Sequence, residues 1–335
     1  MKKIQFIERK FDGFVSIEKV FGLVAENLPK DKFIHRFQKL RYGSSVAGII
    51  KNLLFFKAEP ADVYHITGHV HFMALALPRR KTVLTIHDLR FLKHDSGWRR
   101  FFLKKLFLDW PLKKLIYVTA ISEFTKSEIV SNTGVSPEKI RVIENPLDRT
   151  MTRQRPEKKA FNTDCPRVLQ IGTMENKNLP NLVKALAGTE CELRVIGPLD
   201  ERQDRLLKRS GIRYSNRSGL SDDEIRQEYE NADIVAFCSI YEGFGLPIIE
   251  AQAMAKPVIT SNLSPMKEIA GDAAWLADPF DHRDIRRGIL KIINEISFRE
   301  QIIENGLKNI RRFEPAAIVG EYEKLYEEII AGNKK

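Results

Sequence analysis

Two carboxylates separated by seven residues stand out in YEGFGLPIIEAQAMAKPVITS, residues 241–261. Glu242 follows an apolar run, DIVAFCS, that reads as a strand. Gly243 and Gly245 then open a loop in which backbone amides can approach a ligand with no Cβ in the way. Pro247 suits the first turn of a helix, so a helix is expected from about there through Ala255, with Glu250 near its start. The free amides and positive dipole end of such a helix make a seat for phosphate. Glu242 and Glu250 can then address different ends of one ligand. The plainer alternative is a Gly-Pro turn with two solvated glutamates.

Lys177, in GTMENKN at residues 172–178, directly follows another strand-like run, RVLQIG. A lysine at the mouth of a strand–helix turn can neutralise a diphosphate as a mobile point charge. Read blandly, it is a surface lysine near a helix cap. His87 ends TVLTIHD, where a ring must be hydrogen-bonded or open to a ligand, and Asp88 beside it can orient that ring or meet an acceptor. His65, His69 and His71 lie in VYHITGHVHF, and the last two alternate as in a strand. No third ligand stands at a recognised spacing, so they read as loop histidines and no metal site is expected.

The elements that must position these groups follow an α/β plan. Short apolar runs alternate with helical patterns, the mark of strand–helix–strand units with parallel sheets. In the first half the expected strands are KIQFIE, FIHRF, DVYHIT, TVLTIHD, LIYVTAIS and IRVIE. Helices are expected in SIEKVFGLVAENL, capped by Ser16, and from Ser122. Residues 148–166, charged and without apolar periodicity, read as an interdomain linker. A second series follows: RVLQIG, a helix from Asn178, CELRVIG, IRYSNRSG, a helix in SDDEIRQEYENA, DIVAFCS, the helix from Pro247, PVITS and AAWLADP. The expected domains are 1–150 and 151–316, with a C-terminal helix at about 317–331 packing back on the first. Ligands of doubly wound sheets bind beyond the carboxyl ends of the strands, which is where these motifs fall.

EGFGLPIIE resembles the Glu-x7-Glu signature of the family-4 retaining glycosyltransferases, and GLSDDEIRQEYENADIVAFCS and EIAGDAAWLADPFD around it resemble the same family. That resemblance implies a GT-B fold, two Rossmann-like doubly wound domains facing each other across a cleft, and a nucleotide-diphospho-sugar as donor. Carried over, the first glutamate and loop amides contact the donor sugar, which falls to Glu242, Gly243, Phe244 and Gly245 with Leu246; the second holds the ribose hydroxyls, which falls to Glu250. Gly172, Thr173 and Lys177 match the family's basic diphosphate loop, although Asn176 stands where an arginine is usual and the loop is one residue short. His87 matches a histidine close to the reacting sugar. FDGFVSIEKVF takes the place of the family's first glycine-rich loop, with only Gly13 where two glycines are common, and Gly13 and Asp88 fall on the acceptor side. Asn145 in IENPLD matches a family asparagine and reads as structural. The family implies no cofactor and no metal, and no Asp-x-Asp motif is present. The acceptor it implies is a glycan or lipid-linked glycan in surface-polysaccharide assembly. A GT-B phosphorylase, a nucleotide-sugar epimerase and a nonenzymatic sugar-nucleotide-binding or membrane assembly subunit are the rival readings.

Charge sharpens the picture. Residues 1–150 hold 27 Lys and Arg against 15 Asp and Glu, whereas the rest holds 28 against 29, so the whole +11 surplus sits in the first half. That half is expected to face something anionic. WRRFFLKKLFLDWPLKKLIY, residues 98–117, mixes aromatic, aliphatic and basic residues at near-helical spacing, suited either to a membrane interface or to an ordinary domain helix whose apolar face packs on the sheet, with Pro111 limiting its length; the surplus charge of the half favours the membrane. No motif supports nucleic-acid binding. There is no signal-peptide pattern, no spanning apolar run, and no disulfide or zinc spacing among Cys165, Cys191 and Cys238. A cytoplasmic protein, peripheral on the inner face of the cell membrane, is the expectation.

Overall fold

The computed structural model describes residues 1–10, 16–94, 96–151 and 159–333. Gly13 and residues 152–158 of the expected linker lie outside the described residues. The chain forms two compact units, Met1–Pro146 with Pro315–Lys335, and Leu147–Glu314.

The first unit carries a parallel sheet of six strands: β1 (Lys2–Glu8), β2 (Phe33–Lys39), β3 (Val63–Ile66), β4 (Thr82–Ile86), β5 (Tyr117–Ala120) and β6 (Ile140–Val142), in the order β2-β1-β3-β4-β5-β6. β3 and β4 are buried throughout, because helices cover both faces of a parallel sheet. β2 is an edge strand: it exposes Ile34, Arg36, Phe37 and Lys39 and leaves His35 and Gln38 half-buried. The chain steps from β1 out to β2, then back past β1 to β3, β4 and β5. Right-handed crossovers therefore set the helix Ser16–Asn27 on one face, and Val46–Phe55, the 3-10 turn His71–Leu75 and residues 97–114 on the other. The C-terminal helix Pro315–Gly332 packs beside Ser16–Asn27, with Tyr322 edge-on to Phe21 at 5.8 Å and Lys32 bonded to Glu323 at 2.6 Å.

Pro111 does not limit the basic aromatic segment as expected. Gly97–Lys104 runs into a π turn, Lys105–Asp109, and on into Trp110–Lys114. A proline cannot donate to the carbonyl four residues back, and here that carbonyl, of Phe107, accepts instead from His71 Nδ1 at 2.9 Å. The segment ends at Lys114, and Tyr117 already belongs to β5.

The second unit holds β7 (Arg167–Ile171), β8 (Glu192–Ile196), β9 (Arg213–Arg217), β10 (Ile234–Phe237), β11 (Val258–Ser261) and β12 (Trp275–Ala277), all parallel, in the order β12-β11-β10-β7-β8-β9. Strand order reverses between β7 and β10, which opens a crevice at their carboxyl ends. The core gathers Val168 and its register partners Leu193 and Ile234 with the helix residues Leu182, Ile285 and Ile289.

Candidate active site

Both chemistry-bearing loops of the second unit leave the strands that flank that reversal. After β7 comes Gly172 and a 3-10 turn, Glu175–Lys177; after β10 come Glu242 and the helix Leu246–Ala253, which starts one residue before Pro247 and stops two short of the expected Ala255. Lys177 Nζ bonds Glu242 Oε1 at 2.7 Å, with both side chains about 15% exposed (14% and 15%). The ammonium also lies 4.6 Å from the centre of the buried Phe237 ring. Gly172 makes this reach feasible: at φ +87° it passes under the lysine stem, where a Cβ would come within 2.9 Å of Lys177 Cε.

Asn176 holds Glu242 in place. Its Nδ2 donates to Glu242 Oε1 at 3.1 Å and to the Tyr241 carbonyl at 2.9 Å, while its own carbonyl accepts from Ile240 N at 2.8 Å. Where the family usually has a cation, this chain thus has an amide bound to the carboxylate. Asn176 Oδ1 and Ser239 Oγ, also buried, have no hydrogen-bond partner among the described residues. Asn178, in the left-handed region at φ 60°, stands at the N-cap position of the following helix, but its side chain instead donates to the Cys238 and Pro279 carbonyls at 3.0 and 2.7 Å. It ties the β7 and β10 loops to a third.

Gly245 is the N-cap of Leu246–Ala253, at φ +119°, and provides no side-chain cap. Phe244 turns its ring inward, edge-on to Phe313 at 5.7 Å, so its backbone alone is placed for a ligand. Glu250 lies in the second turn, and its Oε2 accepts the Tyr229 hydroxyl at 2.6 Å. Burial, then the Glu250 charge, hold the Tyr229 phenol well above its ordinary range, so it remains a donor. Sequence reasoning passed over Tyr229, whose only signal is a place on the inner side of the helix Asp222–Asn231. Thr173 spends its hydroxyl on the Pro198 carbonyl and its own carbonyl on Gln203 Nε2.

In the first unit His87, just past β4, is 7% exposed, and its Nε2 lies 2.7 Å from the Thr67 carbonyl. A carbonyl only accepts, so Nε2 carries the proton and Nδ1 keeps its lone pair. Burial drives this imidazole down to about 4, keeping it neutral. Asp88 Oδ1 accepts from Arg90 N at 2.9 Å rather than orienting the ring. Around the end of β1, Arg9 Nε donates to Glu18 Oε1 at 2.8 Å and its Nη2 to Oε2 at 3.1 Å, a fork that the sequence did not reveal. Burial opposes ionisation of Glu18, but Arg9 holds its carboxyl below the ordinary value. His69 sits in the left-handed region at φ 47°; burial lowers it, against the attraction of Asp88. His65 falls in the expected strand, whereas His71 opens a 3-10 turn. His65 lies inside β3, fully buried between the Tyr326 hydroxyl and Thr85 Oγ1 at 2.7 Å each, and His71 is the π-turn ligand described above. Asn145 is buried.

A family model described as Glycosyl transferases group 1 matches residues 151–309, and one described as Glycosyltransferase Family 4 matches residues 17–150. The O-antigen chain mannosyltransferase B of Escherichia coli is 31% identical over 71% of this chain and 68% of its own length. A serotype-specific mannosyltransferase, WbdA of Escherichia coli, is 24% identical over 81% of this chain, which spans only 37% of that protein. Among solved structures, Anabaena HepE in complex with UDP and glucose superposes with a TM-score of 0.79 at 17% identity, covering 98% of this chain and 100% of that one. Sucrose-phosphate synthase from Thermosynechococcus elongatus gives 0.80 at 17% identity, covering 99% and 100%.

Proposed function

The chain belongs to the family-4 glycosyltransferases and has their GT-B fold, and from that premise we propose that it transfers mannose from a nucleoside diphosphate donor, with retention of configuration, to a glycan or lipid-linked acceptor in surface-polysaccharide assembly. The choice of mannose rests on the mannosyltransferases among its relatives. The nucleotide rests on a structural neighbour that holds UDP.

One observation carries the reading: Lys177 and Glu242, delivered by the two strands at the order reversal, meet at 2.7 Å beside a glycine-opened helix start. In the proposed complex the donor diphosphate takes Lys177 as its counterion together with the amides of Gly243, Phe244, Gly245 and Leu246. Glu242 is thereby released to the sugar hydroxyls, and Glu250, aimed by Tyr229, receives the ribose. Charge that develops on the leaving phosphate meets these fixed amides, each worth about 3–4 kcal/mol when well aimed. The first unit binds the acceptor, and neutral His87 serves the transfer. No metal or cofactor enters the proposal. The acceptor hydroxyl attacks from the leaving-group side, and Glu242 orients the sugar without bonding to it. The basic aromatic segment from Trp98 to Lys114 places the first unit on an anionic membrane surface; no helix among the described residues is long and apolar enough to cross one.

The test is Glu242→Gln assayed with nucleotide-mannose donors. Transfer is expected to fall about 100-fold. An unchanged rate removes Glu242 from the site, and a product of inverted anomeric configuration by NMR removes retention.

A further inference from the structure

Val46–Phe55 is a short helix that buries one side and leaves an apolar stripe on the other. Its buried residues are Gly48, Ile49 and Asn52, and Ile49 joins the core with Phe72, Met73 and Leu112. Val46, Ile50 and Leu54, four residues apart along one face, are 76%, 50% and 70% exposed. No stripe of this kind is expected of a helix that serves only the sheet, since the outward face of such a helix is normally polar.

A second stripe lies on the same face of the same unit. Gly97–Lys104 has no buried residue at all, yet carries Trp98, Phe101 and Phe102 at 75%, 57% and 58% exposure. Crossover handedness puts both segments on one side of the sheet; Val46–Phe55 packs against the turn His71–Leu75, and so do Lys105–Asp109 and Trp110–Lys114, into which Gly97–Lys104 runs. Their apolar tips therefore share an outward side. Such an area of exposed apolar surface marks an interaction site.

We propose that Val46–Phe55 is a second membrane-inserting element, so that the first unit docks on a bilayer containing anionic lipid through two helices rather than one. The proposal rests on the membrane-facing, lipid-linked acceptor of the preceding reading and deepens it. Charge selects the occupant. Residues 97–114 hold six Lys and Arg against one acid, Asp109, and Val46–Phe55 adds Lys51 with no acid. A second copy of this chain meeting the face symmetrically would oppose those cations to themselves. An anionic headgroup layer pairs with them while Ile50, Leu54, Trp98 and Phe101 enter the acyl boundary and the lysine stems reach back to the headgroups.

The experiment is flotation of the full chain with phosphatidylcholine vesicles, plain or carrying about one-third phosphatidylglycerol, alongside Ile50→Asn/Leu54→Asn and, separately, Trp98→Ser/Phe101→Ser. The native chain is expected to float with the anionic vesicles and to be released by salt, and each double variant to bind about tenfold more weakly or worse. The substituted side chains are exposed, so thermal unfolding and transfer to a soluble oligosaccharide stay as in the native chain. Equal binding by Ile50→Asn/Leu54→Asn overturns the second element, and no binding by the native chain overturns docking altogether. A lipid-free dimer that the same substitutions convert to monomer overturns it in favour of a second copy. Loss of transfer from every donor with vesicle binding intact counts against the proposed reaction and leaves the docking face standing.

Discussion

Tyr229 shows how a site residue draws on a partner that no motif contains. Its hydroxyl reaches Glu250 at 2.6 Å from a fully buried position, so the carboxylate is aimed before any ligand arrives. Tyr229→Phe removes a hydrogen bond to a charged group, worth about 1.5–3 kcal/mol, and leaves the ring packing intact. If Glu250 holds the ribose, the expected outcome is a raised KM for the donor with kcat little changed; steady-state kinetics that show the reverse place Glu250 elsewhere. Glu242 and Lys177 were legible because their chemistry and their spacing from strands are written locally. Asn176 was legible only as a departure from the family's arginine. That it binds the carboxylate depends on β10 delivering Glu242 to the mouth of β7.

At the scale of elements, each expected strand is present; the central ones are apolar because both their faces are covered, while the edge strands β2 and β9 carry exposed polar residues. The helix from Ser122 begins where expected, with Ser122 Oγ accepting from Thr125 N at 3.1 Å. Pro111 misled because a proline's effect depends on whether something else satisfies the carbonyl it cannot serve. His71 does so from another element 36 residues away. His71→Leu takes that donor from the buried turn, and a loss of about 1–3 kcal/mol in urea unfolding is expected. A loss near zero would mean that the helix backbone itself satisfies Phe107. The stripe on Val46–Phe55 was hidden for a related reason: its apolar run reads as core until the fold shows which side is covered.

Over the whole molecule, buried histidines couple the first unit's stability to pH. Burial lowers His65 and His71 to about 3 and His87 to about 4, whereas the unfolded chain titrates near 6.5. Between those values the unfolded state binds more protons than the folded one, so stability falls as pH drops from about 6.5 towards 4, with up to about 1.4 kcal/mol per pH unit from each histidine. The C-terminal helix is part of this system, since Tyr326 shares His65 with Thr85 and so links residues 261 apart in sequence. Denaturant unfolding at pH 7 and pH 5 is expected to show the loss at the acid end. Flat stability over that interval would show that these rings are solvated or charged.

The sequence alone determined the two parallel α/β halves, the glycine-opened loop and helix start after β10 and the basic character of the first half, because apolar periodicity, glycine and proline placement and net charge are properties of short stretches. Tertiary structure alone decided which side chains meet: Lys177 with Glu242, Tyr229 with Glu250, His71 with Phe107, and which face of Val46–Phe55 stays bare. Those contacts join segments far apart in the chain. They exist only once the sheets have ordered their strands and brought the loop ends within hydrogen-bonding distance.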